Sequence, residues 1–138
     1  MTCSVRMDIN LRTLMQKGMF EMHKDWVKIA KELSPLMGEA RKSSPEAWGG
    51  FAALAKGATA PGALDTKTKE LIALALGIAA RCDGCLAFHA KEIVQLGGTR
   101  AEVLDVIAMA VYMGGGPSAI YGAQALESYD QFAALAQK

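Results

Sequence analysis

The stretch DTKTKELIALALGIAARCDGCLAFHAKEIVQLGG, Asp65 to Gly98, decides how this chain folds. Its first half carries Leu71, Ile72, Leu74, Ala75, Leu76, Ile78 and Ala79, apolar nearly all round, which predicts a core helix from Asp65 or Thr66 to Arg81. Around Cys82 the chain restarts, with Asp83 as the expected cap, and a further helix runs to a stop at Gly97-Gly98.

Working outward, Thr99-Arg100-Ala101-Glu102 is a capping box that opens a fifth helix. Its segment Val103 to Met113 holds a single charge, Asp105, so it must be covered on most sides, either as the central core helix or partly by another subunit. A last helix follows Gly114-Gly115-Gly116-Pro117. Toward the N-terminus, Ser43-Ser44-Pro45-Glu46 starts a helix that reaches about Gly57, and Ala58 to Gly62 form a loop. Leu11, Met15, Met19, Met22, Trp26, Ile29 and Leu33 make one apolar stripe of a long first helix, with Lys17, Glu21, Lys24 and Lys28 off it, ended by Ser34-Pro35. The 24 Ala against 19 Val, Ile and Thr together favour helix over sheet. The expectation is an all-α fold: one domain over residues 1–138 with about six helices, without repeat or dividing linker.

A chain of 138 residues buries roughly two-thirds of its unfolded surface and needs no disulfide staple to fold. Its 15 Lys and Arg against 14 Asp and Glu, with no basic cluster interleaved with aromatics, argue against nucleic acid. The longest apolar run, Leu71 to Ala80, is about half of what crosses a bilayer, so no membrane partner is expected. Charges throughout the first stretch exclude a secretory h-region, and a cytoplasmic protein is expected. In that compartment Cys82-Asp83-Gly84-Cys85 points to redox or metal chemistry.

Cys82, Cys85 and His89 fall at i, i+3 and i+7, one face of a helix. Alpha carbons three apart on a helix lie roughly 5 Å from each other, inside the disulfide window of about 4.4 to 6.8 Å. The helix N-terminus favours thiolate at Cys85 in the first turn. Lowering a thiol from about 8.5 to about 7 raises the thiolate fraction roughly sixteenfold, but lost nucleophilicity takes back about fivefold. A net gain of about threefold makes no catalyst, whereas a positioned proton donor is worth about 10²- to 10⁴-fold, and His89 is the candidate. Glu92, three residues on, either orients the imidazole or is a solvated helix glutamate. The alternatives are inert core thiols, or a zinc site in which Cys3 or His23 adds a fourth ligand; otherwise Cys3 is an exposed thiol and His23 a surface residue. Phe88, Met109, Met113, Trp48 and Phe51 suit either substrate access or plain packing.

With Glu70 added, the pattern Glu70, eleven residues, Cys82, two, Cys85, three, His89 resembles the signature of the alkylhydroperoxidase D branch of the carboxymuconolactone decarboxylase family, best over about Ala63 to Gly116. The resemblance implies an alkylhydroperoxidase-D-like helical fold in trimers or hexamers and a thiol peroxidase cycle without a cofactor. It makes Cys85 the peroxidatic thiol, Cys82 the resolving thiol and proton donor, and Glu70 with His89 a proton relay. Its substrate would be a small organic hydroperoxide, and its reductant a thiol or a dihydrolipoamide-bearing protein. The best-known members carry a second histidine where this chain has Gly84, so any part of the relay that depends on it is missing here. A straight third helix puts Glu70 about 18 Å along the axis from Cys82, so either a break near Gly77 or a second subunit brings it in, or Glu70 is only an acid near a helix N-terminus that suits the dipole. A lactone decarboxylase of the name-giving branch, or a non-enzymatic redox-responsive or metal-binding helical oligomer, are the alternatives.

Overall fold

The structure is a computed structural model that describes residues 22–137. Its elements are α1 (Trp26–Ser43), α2 (Pro45–Thr59), α3 (Thr66–Ala80), α4 (Asp83–Gln95) and α5 (Arg100–Leu135). There is no strand among the described residues, so the all-α expectation holds. The stripe residues Leu11, Met15 and Met19, and Cys3, lie outside the described residues.

The first helix departs from expectation at both ends. Met22 to Asp25 are not helical, and α1 begins at Trp26 with the Asp25 carboxylate capping the Lys28 N–H. The backbone before it is satisfied by side chains of α5 instead of a helical ladder. The N–H groups of His23 and Lys24 donate to the Glu127 carboxylate, the Trp26 N–H donates to Gln131 Oε1, and Gln131 Nε2 donates to the Lys24 carbonyl. Lys24 is therefore half-buried in a strap, not on a polar helix face. At the other end the helix runs through Ser34-Pro35 to Ser43. Lys31, whose carbonyl loses its partner to the proline, is exposed, so water replaces the bond, and the Ser34 hydroxyl donates to the Ala30 carbonyl.

α2 starts with Pro45 at its first turn as read, although the Ser44 hydroxyl makes no capping bond, and none of its residues is buried. The Asp65 carboxylate caps α3 through the Thr68 N–H. α3 closes with Arg81 in the left-handed region at φ 56°, where the Arg81 N–H donates to the Ile78 carbonyl and the Cys82 N–H to that of Gly77. The same Cys82 then caps α4 in place of the expected Asp83, its Sγ accepting the Cys85 N–H at 3.2 Å. One residue thus ends one helix and begins the next, leaving no slack between them.

The Gly97-Gly98 stop and the Thr99–Glu102 capping box form as the sequence predicts. The expected fifth and sixth helices are one element with a reversal at Gly115, whose φ of 64° and ψ of −148° are open only to glycine. Its arms run back along each other: Arg100 Nε and Nη2 bond the Asp130 carboxylate at 2.9 and 3.1 Å, and a Cβ on Gly122 would stand 2.6 Å from Ile107 Cγ2. Val106 to Leu126 carries no Asp, Glu, Lys or Arg, so α5 is long and apolar enough to cross a membrane by length and composition, contrary to the limit drawn from Leu71 to Ala80. The reversal makes it a hairpin. Trp26, Leu74, Ile78, Leu86, Ile93 and Val103 are fully buried where α1, α3, α4 and α5 meet, each contributing about 1.5–3 kcal/mol. The apolar segment of the first α5 arm is largely uncovered, with Val103 and Ala110 buried and Leu104, Met109, Tyr112 and Met113 exposed, and α3 likewise exposes Ile72 and Leu76.

Candidate active site

Because Arg81 and Cys82 leave no loop, α4 turns straight back along α3, and this brings His89 to Glu70. Neither a break at Gly77 nor a second subunit is used. α3 is continuous, and Glu70 meets His89, which the returning helix carries to it: Nδ1 lies 2.7 Å from Oε2. Gly77 instead lets the helices touch, since a Cβ there would stand 3.0 Å from the Cβ of Cys85.

The Glu70 side chain is only 8% exposed, and a buried carboxylate survives folding only when it is paired. Its partner is His89, half-buried at 31%. A carboxylate accepts hydrogen bonds, so Nδ1 bears the proton and Nε2 is left to exchange one. Glu92 is exposed, and the carboxylate that orients the imidazole is that of Glu70. One turn before His89, Cys85 and Cys82 have their sulfurs at disulfide distance, with Cα atoms 5.2 Å apart as the spacing predicts, and both residues are half-buried. The amide at the start of α4 is aimed at Cys82 Sγ, not at Cys85.

The position before Cys85 is occupied from outside. A Cβ on Gly84 would lie 3.2 Å from Leu33 Cδ1, so α1 covers the point where the resembled proteins carry a histidine. Leu33 and Lys24 are the participants that the sequence reading missed; the stripe identified Leu33 as core-facing but not what it faces. Among the described residues no group of three His, Cys, Asp or Glu side chains is arranged to hold a metal. His23 is exposed on the strap. Phe88 packs against the core beside His89, whereas Met109, Met113 and Phe51 are exposed. Trp48 and Phe51 stack edge to face at 6.4 Å and line an open apolar concavity with Ala47 on α2.

The fold is thus an all-α one whose α3–α4 hairpin carries two cysteine sulfurs at disulfide distance and a half-buried histidine paired with a buried carboxylate. The chain belongs to the carboxymuconolactone decarboxylase family, whose model matches residues 45–128. It is 49% identical to a carboxymuconolactone decarboxylase family protein from Legionella pneumophila in a crystal structure, with a TM-score of 0.77 over 78% of this chain and 96% of that one. A protein from Thermotoga maritima shares the fold at 24% identity, with a TM-score of 0.73 over 80% of this chain and 96% of that one. An uncharacterized protein from Cupriavidus necator is 36% identical over 99 residues, 72% of this chain and 88% of its own length.

Proposed function

We propose that the chain is a thiol-dependent peroxidase of the alkylhydroperoxidase D type, acting on small organic hydroperoxides. The observation that carries this reading is the juxtaposition of Cys82 and Cys85 at bonding distance with the His89–Glu70 pair one turn along the same helix.

In the reduced protein the Cys85 thiolate attacks the peroxide oxygen bearing hydrogen, forming an S–O bond as the O–O bond breaks. The sulfur is oxidised to a sulfenic acid, and the alkoxide leaves as an alcohol with a proton relayed through His89, whose Nδ1–H is held by Glu70. The Cys82 thiol then attacks that sulfenic acid, giving the disulfide and releasing water. A dithiol, such as a dihydrolipoamide-bearing protein, returns two electrons and two protons and leaves as its own disulfide. The cycle needs no cofactor. A cytoplasmic location fits a centre that must be re-reduced after every turnover. Self-association, which the uncovered apolar segments of α3 and α5 support and which the resemblance makes a trimer or hexamer, belongs to the same proposal.

The test is consumption of cumene hydroperoxide by the reduced protein with a dithiol reductant. Cys85→Ser is expected to abolish turnover, while Cys82→Ser stops after one equivalent with a sulfenic acid that dimedone traps. Full activity in Cys85→Ser overturns the reading.

A further inference from the structure

The residue between the two sulfurs nearest Cys82 is an acid. Asp83 is the first residue of α4, directly after Cys82 and two before Cys85. A carboxylate there interacts favourably with the helix dipole, but it also opposes formation of a second negative charge on either sulfur.

The structure supplies a counter-charge from a distant segment. Lys24 Nζ donates to Asp83 Oδ2 at 2.7 Å and to Gln124 Oε1 at 2.8 Å, and it lies 5.3 Å from the Trp26 ring centre and 6.0 Å from that of Tyr121. Two aromatic faces, a carboxylate and an amide oxygen fix the ammonium in one place. The strap that carries it is fixed as well. Glu127 accepts from the His23 N–H, the Lys24 N–H and the Trp26 indole N–H, while Gln131 accepts from the Trp26 N–H and donates to the Lys24 carbonyl. An exposed surface ion pair needs none of this support, because its two long side chains find each other only part of the time.

We propose that Lys24 is a positioning residue for the dithiol, holding the Asp83 carboxylate and offsetting its charge so that a cysteine thiolate forms near neutral pH. The consequence for turnover rests on the peroxidase reading above, whereas the effect on the thiols does not. The other ionisable groups on elements packed around this turn have partners or stand in solvent. Glu70 of α3 and His89 of α4 bond each other, and Glu127 of α5 is engaged by the strap. Arg81, after α3, is exposed, as are His23 and α1's Lys28, Lys31 and Glu32. α1 presents Leu33 to Gly84, an apolar contact.

The experiment is a titration of the fully reduced protein, reading thiolate by ultraviolet absorbance and by the pH dependence of iodoacetamide alkylation. Lys24→Met is expected to raise the lower thiol pKa by about half a unit, the size of one charge several ångströms away in a water-like medium. Lys24→Arg keeps the wild-type value. Asp83→Asn lowers it, because the ammonium then acts unopposed. In the Asp83→Asn background, Lys24→Met again raises it, by the direct effect of the ammonium alone, and by less than in the wild type since no carboxylate is released. An unchanged thiol pKa in Lys24→Met, or a rise in Asp83→Asn, overturns the proposal, and the second variant leaves the strap's backbone clamp in place. A protein with this titration pattern but no hydroperoxide turnover loses the peroxidase reading and keeps this one. Turnover without the pattern does the reverse.

Discussion

His89 Nδ1 lies 2.7 Å from Glu70 Oε2, across nineteen residues of sequence, and the hairpin of α3 and α4 brings them together within a single chain. On the peroxidase reading, the carboxylate holds the imidazole through Nδ1 and leaves Nε2 to exchange a proton. Glu70→Gln retains an acceptor for the Nδ1–H but removes the charge that stabilises an imidazolium. Turnover of hydroperoxide is expected to fall by between about 10- and 10⁴-fold, as for other carboxylates that orient a catalytic histidine. The Cys82–Cys85 disulfide should still form with diamide at the wild-type rate, since that reaction bypasses the relay. Wild-type turnover in Glu70→Gln means the pair is only a structural contact.

That contact also marks where sequence reasoning ends. Periodicity and caps place α3, α4 and the start of α5, because Asp65, the Gly97-Gly98 stop and the Thr99–Glu102 box act through neighbours in the chain. The i, i+3 spacing likewise sets Cys82 and Cys85 at bonding distance, although Cys82 is the extended cap before α4 and not a residue of that helix. What local rules miss depends on what lies opposite. Pro35 reads as a helix end, yet exposure of Lys31 lets water replace the missing bond. Lys24 sits at a helical spacing, but Glu127 and Gln131, about a hundred residues away, satisfy its backbone in another conformation. The Glu70–His89 meeting follows from Arg81 adopting a left-handed conformation that its side chain gives no reason to expect.

Gly77 and Gly84 are expected to differ in how they tolerate a side chain. At Gly77 an added Cβ meets the Cβ of Cys85 at 3.0 Å, an atom that moves only with its backbone. Gly77→Ala should therefore destabilise the protein by about 1–3 kcal/mol in urea denaturation. At Gly84 the obstacle is Leu33 Cδ1 at 3.2 Å, the end of a side chain that can turn aside. Gly84→Ala is expected to lose under about 1 kcal/mol. Gly84→His, which installs the histidine of the resembled proteins, should lose more, and Leu33→Ala should be less damaging in that background than in the wild type. Equal losses at the two glycines would contradict the packing described for α1, α3 and α4.

Stability should fall on the acid side through two identified carboxylates. The Asp65 carboxyl is held below its ordinary 3.8 by its hydrogen bonds with Thr68. Glu102 is held below 4.5, first by the Lys67 ammonium and then by the Thr99 N–H. Each binds its proton less readily folded than unfolded, so the stabilisation is fully present above those ordinary values and disappears as pH drops through the lower folded ones. Thermal melting should be level from neutral pH down to about 4.5 and then decline. The variant Asp65→Asn with Glu102→Gln should show a shallower acid limb. On the alkaline side Lys67 is raised by Glu102, and Tyr129 is raised above 10.0 by burial. Both contributions last below their ordinary values and fade as pH climbs through the folded ones. An acid limb of unchanged steepness in the double variant would refute the assignment.

The reversal at Gly115 places Tyr112 and Met113, 80% and 77% exposed, at the tip of the α5 hairpin, with Met109 and Ile120 exposed on its two arms. α3 adds Ile72 and Leu76 to the apolar surface left open. Large side chains so exposed in a monomer gain about 1.5–3 kcal/mol each on burial, enough for a few of them to offset the entropy lost on association. Sedimentation velocity at micromolar concentration is therefore expected to show an assembly larger than one chain, and the family resemblance implies three or six chains. Tyr112→Asp combined with Met113→Asp should shift that mass toward the monomer while leaving the helical circular dichroism intact, since neither side chain supports the core of its own chain. Because Glu70 reaches His89 within one chain, the dissociated variant should still form the Cys82–Cys85 disulfide with one equivalent of hydroperoxide. A wild-type protein that sediments as a monomer would leave these apolar residues facing water and end the argument for assembly.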